Sequence, residues 1–180
     1  MSAYGADREG RTPAPVDARP PGASRVRTAY ITHPNQANVH GTVFGGHILR
    51  WFDEVGAMAA VRHCRQPVVT ALIDAVAFNA PLNIGDFAIV RAQVTRAWTT
   101  SMEIYATVYA EHPLGGELRH VAEAFLTFVA VDDDNRPLPV CPVLPESEDE
   151  QLLFEGAARR RASRLAERSK RVETGEGTDE

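Results

Sequence analysis

Apolar side chains at Ile48, Phe52, Val55 and Ala59 recur at i, i+4, i+7 and i+11, the one-sided stripe of an amphipathic helix. The spacing predicts a helix from His47 to about His63, and Leu49, Met58 and Val61 widen the stripe until most sides look covered. Four extended runs follow, Val68 to Phe78, Phe87 to Trp98, Ser101 to Glu111 and Arg119 to Val131. They are rich in Val, Ile, Thr, Phe and Tyr, and in places they alternate strictly: Ile104, Ala106, Val108 and Ala110 against Tyr105, Thr107 and Tyr109. Gly85-Asp86, Trp98 to Thr100 and Gly115-Gly116 mark the turns between them. Val26 to Thr32 alternates loosely and reads as an edge strand, separated from the helix by a loop rich in Pro, Asn and Gly. A strand, one buried helix and four meandering strands define an α+β fold. One long central helix is wrapped by a curved antiparallel sheet of about five strands.

Pro137, Pro139, Pro142 and Pro145 end the ladder, because proline has no N–H to donate. Ser147, with Glu150 three residues on, then reads as the capping box of a C-terminal helix over 146–171. Acids lead this helix and arginines trail, as the helix dipole favours. Its basic run, Arg159 to Arg161 with Arg164 and Arg168, reads as a solvated face. Residues 1–24 and 172–180 hold almost no large apolar side chains, so neither segment buries enough surface to offset its ordering entropy. The chain thus divides into a disordered leader (1–24), a core domain (25–145), the terminal helix and a disordered tail.

With 180 residues and 44% hydrophobic content, one well-buried domain is expected. No apolar run is long enough to span a bilayer, and the N-terminal segment has no apolar core of the secretory kind, so the reading is cytoplasmic with no membrane partner. Cys64 and Cys141 lie far apart and outside any CxxC, against a disulfide scaffold or a zinc site. A net charge of -5 gives no footing to a nucleic-acid partner. Eighteen of the nineteen basic residues are Arg, so any anion site must use Arg forks or backbone amides.

Asp53 is the position that needs explaining. It sits mid-helix on a helix that looks apolar nearly all round, where an unpaired carboxylate costs several kcal/mol. Glu54 points about 100° away and reads as the solvated member. Periodicity alone leaves open a surface role for Asp53 beside Arg50. Gly45-Gly46, just before the helix, lets backbone amides face a ligand at the positive end of the dipole. A thioester carbonyl placed there gains stabilisation as its oxygen turns negative; the plainer reading is a tight loop-to-helix entry. His33, His40, His47 and His63 show no metal-ligand spacing. Ser101 lacks a GxSxG elbow and Cys64 lacks an evident base, so neither reads as a nucleophile.

The segments NQANVHGTVFGGHILRWFDEVGAMAAVRHC, VVTALIDAVAF, PLNIGD, TSMEIYATVYAE and AFLTFVAVDDDNRPLPV resemble those of the hotdog-fold acyl-CoA thioesterases. The nearest pattern is that of the broad-range bacterial enzymes similar to the cytosolic acyl-CoA hydrolases of animals. The resemblance runs from about Val26 to Val140, and the ordered set N-x-x-G-x-x-F-G-G, W-x-D-E, RHC, VVTA and TSME is far more specific than any one piece. It implies hydrolysis of acyl-CoA thioesters to fatty acid and CoA with no cofactor, CoA being part of the substrate. Asp53 would be general base or nucleophile, Asn38 would position water or substrate, and the Gly46 amide would supply the oxyanion contact. It also implies a homodimer whose site pairs Asp53 of one copy with Asn38 of the other, extended to a hexamer of three dimers. CoA phosphates would lie along Thr99, Thr100 and Ser101, aided by Arg62 or a neighbouring Arg.

The chain departs from that family at Ala97-Trp98-Thr99, where members often carry Gly followed by a basic or amide residue. The charge contact is then left to Arg96 or the terminal helix. The competing reading from another class is a non-catalytic acyl-CoA-binding hotdog module. Such modules need an output domain, for which the leader reads as too short. A hotdog dehydratase would pair His with an acid, and no such pair is legible.

Overall fold

The computed structural model describes residues 17–173. It consists of strand β1 (Val26–Ile31), helix α1 (Gly45–Cys64), strands β2 (Val68–Phe78), β3 (Phe87–Ala97), β4 (Ser101–Glu111) and β5 (Leu118–Ala130), and helix α2 (Glu148–Glu173). The strands form one antiparallel sheet in the order β1-β3-β4-β5-β2.

Strict alternation builds the inner face of this sheet. Ala88, Val90, Ala92 and Val94 of β3, and Met102, Ile104, Ala106, Val108 and Ala110 of β4, all turn inward and are buried against α1. α1 answers with the predicted stripe of Ile48, Phe52, Val55 and Ala59, all buried, together with Trp51, which stacks on Tyr30 of β1 at 5.1 Å. The many alanines lining the sheet let the helix lie close. Gly56 has the same role from the helix side, since a Cβ there would stand 3.1 Å from the Phe128 ring. Register shifts in β2 (Thr70/Leu72 and Asp74/Ala77) and in β3 (Val94/Arg96) add the local twist that curls the sheet round the helix.

Four expectations change. α1 begins at Gly45, so both glycines sit in its first turn; the helix is covered on most sides, and Arg50, Met58 (44% exposed) and Arg62 mark its one open face. The leader does not stay loose up to residue 24. Arg19 pairs with Val143 in a parallel bridge and its guanidinium reaches the His63 carbonyl at 2.5 Å. Pro21–Ser24 then forms a 3₁₀ turn with Ser24 buried, because this segment covers the end of α1 and the 141–144 strap; the part of the leader before residue 17 lies outside the described residues. At the other end α2 runs to Glu173, and residues 174–180 lie outside the described residues. Lastly, the basic run is not simply a solvated face. Arg160 and Arg164 turn under α2 onto Glu103 and Asp74 of the sheet's outer face, with contacts of 2.7 and 2.8 Å. Ser147 does cap α2, accepting from the Glu150 amide at 3.3 Å, while the Glu150 carboxylate reaches the amide of Glu146 at 2.9 Å.

Candidate active site

Asp53 and Glu54 share a helical turn and meet different partners. Arg50 donates to Glu54 at 2.8 Å, one turn along the exposed face. That removes the cation beside which Asp53 could have served as a surface residue. Asp53 instead accepts a hydrogen bond from Oγ1 of Thr70 on β2, at 2.5 Å to its Oδ1. This is the short, charge-assisted kind of bond, and it leaves Oδ2 unclaimed by the hydroxyl. Thr70 was not singled out in the sequence, although the VVTA motif that contains it was.

Asn38 organises the loop before α1. Its Oδ1 accepts from the amides of His40 and Thr42, at 2.8 and 3.3 Å, and its Nδ2 donates to the Thr42 hydroxyl at 2.9 Å. The same asparagine borders a cavity of about 460 Å³ whose other walls include Val43, Ile48, Phe78 and Leu82. Asp53 is not among the residues that line this cavity. No side chain caps α1 at Phe44, which leaves first-turn amides, Gly46 among them, for a ligand. A Cβ at Gly46 would stand 2.8 Å from the exposed Phe44 ring, which would have to swing aside.

Of the residues read as contacts for CoA, Ser101 faces a cavity and accepts from Arg161 of α2 at 3.3 Å. Thr99 and Thr100 are fixed through their carbonyls, which accept from the amides of Val140 and Ala130, both at 3.0 Å. Arg62 donates to the Arg25 carbonyl at 3.0 Å. His63 and the two cysteines are held in the core. His63 is buried against the Cys141 carbonyl, and burial pushes its pKa down, keeping the ring neutral. Both thiols are buried and their pKa values pushed up by that burial, which disfavours the thiolate a nucleophile needs. Among the described residues no group of three or more His, Cys, Asp or Glu could hold a metal ion, and no helix is long and apolar enough to cross a membrane.

A helix cradled by a curled antiparallel sheet, with a carboxylate at the helix–edge-strand contact, is the plan of a hotdog thioesterase. The profile of the thioesterase superfamily matches residues 40–116. A Bacillus subtilis protein named as an uncharacterised acyl-CoA thioester hydrolase is 39% identical over 75% of this chain and 78% of its own. The crystal structure of an apo-hexameric acyl-CoA thioesterase superposes with a TM-score of 0.82 at 38% identity, covering 84% of this chain and 97% of that one. An acyl-CoA hydrolase from Staphylococcus aureus, solved with butyryl coenzyme A and coenzyme A, gives 0.82 at 32% identity over 89% and 98%. The chain belongs to the thioesterase superfamily, among its acyl-CoA thioester hydrolases. It spans about a third of the mammalian cytosolic acyl coenzyme A thioester hydrolases that it also matches. For the Staphylococcus enzyme, alanine variants at an asparagine, an aspartate and a threonine have been solved, the aspartate fifteen positions after the asparagine and the threonine seventeen after the aspartate. Asn38, Asp53 and Thr70 stand at the same two intervals.

Proposed function

We propose that this chain hydrolyses acyl-CoA thioesters to the free acid and CoA, at a site assembled from two copies, with Asp53 as the reacting carboxylate. The observation that carries this reading is the Thr70–Asp53 hydrogen bond, which pins one carboxylate oxygen and orients the other. That second oxygen either takes a proton from water or attacks the thioester carbon. The Gly46 amide, at the positive end of α1, faces the carbonyl oxygen as it becomes an oxyanion. Asn38 of the second copy positions the water or the substrate.

Two features support a shared site. Asn38 and Asp53 share no hydrogen-bond partner within one chain, and β2 lies at the sheet's edge with Val69, Leu72, Ile73 and Phe78 all exposed. An apolar, unpaired edge of this length recruits another strand, and two-fold pairing of β2 with its copy closes it. Three such dimers make the hexamer that similar thioesterases form. The reaction needs no metal and no cofactor, and two buried free thiols suit a reducing cytoplasm.

The test is thiol release from acyl-CoA by the purified protein, before and after dialysis against EDTA. Turnover should persist after dialysis. Activity lost with EDTA and restored by zinc would overturn the mechanism, and tight acyl-CoA binding without turnover would make the chain a non-catalytic binding module.

A further inference from the structure

Asn38 stands in the turn before α1, and Thr42 closes that turn. The Asn38 amide donates to the Thr42 carbonyl at 2.8 Å, and the Gly41 amide donates to the Asn38 carbonyl at 3.1 Å. Gly41 supplies the left-handed step, φ 77°, that brings the chain round. The turn is tied in addition to the loop between β2 and β3. Thr42 bridges to Asn83, and the Val43 amide donates to the Leu82 carbonyl at 2.8 Å. Backbone pairing thus fixes Thr42 both to Asn38 and to the neighbouring loop.

A carboxamide has two N–H donors and one oxygen with two lone pairs. The Oδ1 of Asn38 is fully used, by the His40 amide at 2.8 Å and the Thr42 amide at 3.3 Å. These two donors also decide which way the group faces, since a turned-over carboxamide would set its NH2 against two N–H groups. One Nδ2 proton goes to the Thr42 hydroxyl at 2.9 Å. Thr42 therefore engages both the oxygen and the nitrogen of the side chain, through its own amide and hydroxyl. The other Nδ2 proton meets no acceptor among the described residues, and Asn38 and Thr42 both border the cavity of about 460 Å³. Asn38 is left with one N–H to offer, in the direction that Thr42 sets.

Resting on the acyl-CoA hydrolase reading above, we propose that Thr42 is a positioning residue for that reaction. Its hydroxyl takes one proton of the Asn38 carboxamide and so aims the other at the reacting molecule. It acts through Asn38, as Thr70 acts through Asp53.

The experiment measures kcat and KM for one acyl-CoA by thiol release, with melting temperatures, in wild type, Thr42→Val, Thr42→Ser and Asn38→Asp. Valine keeps the β-branched shape and the backbone amide bond to Oδ1, and it deletes only the hydroxyl. In Thr42→Val kcat should fall about three- to tenfold, with KM and melting temperature close to wild type. Thr42→Ser should restore most of the rate. Asn38→Asp keeps an oxygen for both turn amides but has lost the remaining N–H. It should melt as wild type does and lose about tenfold or more in kcat.

Wild-type kcat in Thr42→Val would overturn the proposal. So would a loss confined to KM, a loss that serine does not restore, or a Thr42→Val chain that melts well below wild type, since each makes the residue a prop for the loop. Full activity in Asn38→Asp would overturn it as well, because the remaining N–H would then be idle. Wild type that releases no thiol sinks the hydrolase reading and this inference with it. An active wild type beside an unimpaired Thr42→Val sinks this inference alone.

Discussion

Replacing Thr70 with valine removes one hydroxyl of nearly unchanged volume and tests how Asp53 is held. The bond it deletes is 2.5 Å long, the short end of the charge-assisted range. Hydrogen bonds to charged groups contribute about 1.5–3 kcal/mol. In the isolated chain Thr70 is exposed, so the lower part of that range applies unless a second copy covers it. If the bond matters only when the carboxylate must be aimed at the reacting atoms, about 1.4 kcal/mol appears as about a tenfold loss in kcat. Covered by a partner copy, the loss approaches ~100-fold. KM should change little, and Thr70→Ser should recover most of the rate. Asp53→Asn should itself lower kcat by at least ~100-fold, the scale of a positioned acid–base group. Because the hydroxyl acts through the carboxylate, adding Thr70→Val to Asp53→Asn should cost almost nothing more, in a cycle read by thiol release under saturating substrate. Wild-type kcat in Thr70→Val, or two losses that multiply independently, would refute this account.

Inactive Asn38→Ala and Asp53→Ala chains, unfolded and refolded together, should regain activity, because each mixed dimer contains one intact site; mixtures no more active than either parent would place the site within one chain. Gly56→Ala should destabilise the fold by about 1–3 kcal/mol, as its Cβ would press on the buried Phe128 ring at 3.1 Å; a melting temperature that held or rose would contradict the packing described. The depressed pKa of His63 means that the unfolded chain binds this proton first. Stability should therefore be complete above pH ~6.5 and fall by at most about 1.4 kcal/mol per pH unit below it. Urea midpoints should lose that part of their pH dependence in His63→Gln, and an unchanged slope would exclude the assignment.

The helix and the strands were legible because each obeys one period over many residues: the stripe from Ile48 to Ala59, and the alternation of β4. Both hold whatever the tertiary context. Side-chain partners were less legible. Nothing in WFDEV reveals that Arg50 takes Glu54 and leaves Asp53 to a threonine seventeen residues on, since that contact exists only once β2 folds back along α1. The arginine run was misjudged for a related reason. Sequence shows the charges of α2 but not that Glu103 of β4 turns to the outer face and lies beneath them. The resemblance puts Arg62 beside CoA, and in the single chain its guanidinium donates to the Arg25 carbonyl, a contact that no motif announces.

Glu103 also bears on where this protein can be cut. The stretch matched by the superfamily ends well before α2, and the prolines from Pro137 to Pro145 look like a natural place to trim. Yet Glu103 has no exposed surface, and its carboxylate is held by Arg160 of α2 and by the Thr95 hydroxyl at 2.8 Å. Removing the helix strips the charge of its cation. The same cut opens the outer face of the sheet to water, so Glu103 is hydrated as it loses Arg160, and the cost falls on the apolar surface uncovered beside it. Phe125 would lose its covering guanidinium, now 3.6 Å away, in the same stroke. A shortened chain ending at Pro145 should therefore expose Phe125 and its neighbours on the outer face, and its melting temperature should fall below that of the full chain. Through Glu103, Asp74 and Phe125 the terminal helix is packed into the domain and not appended to it.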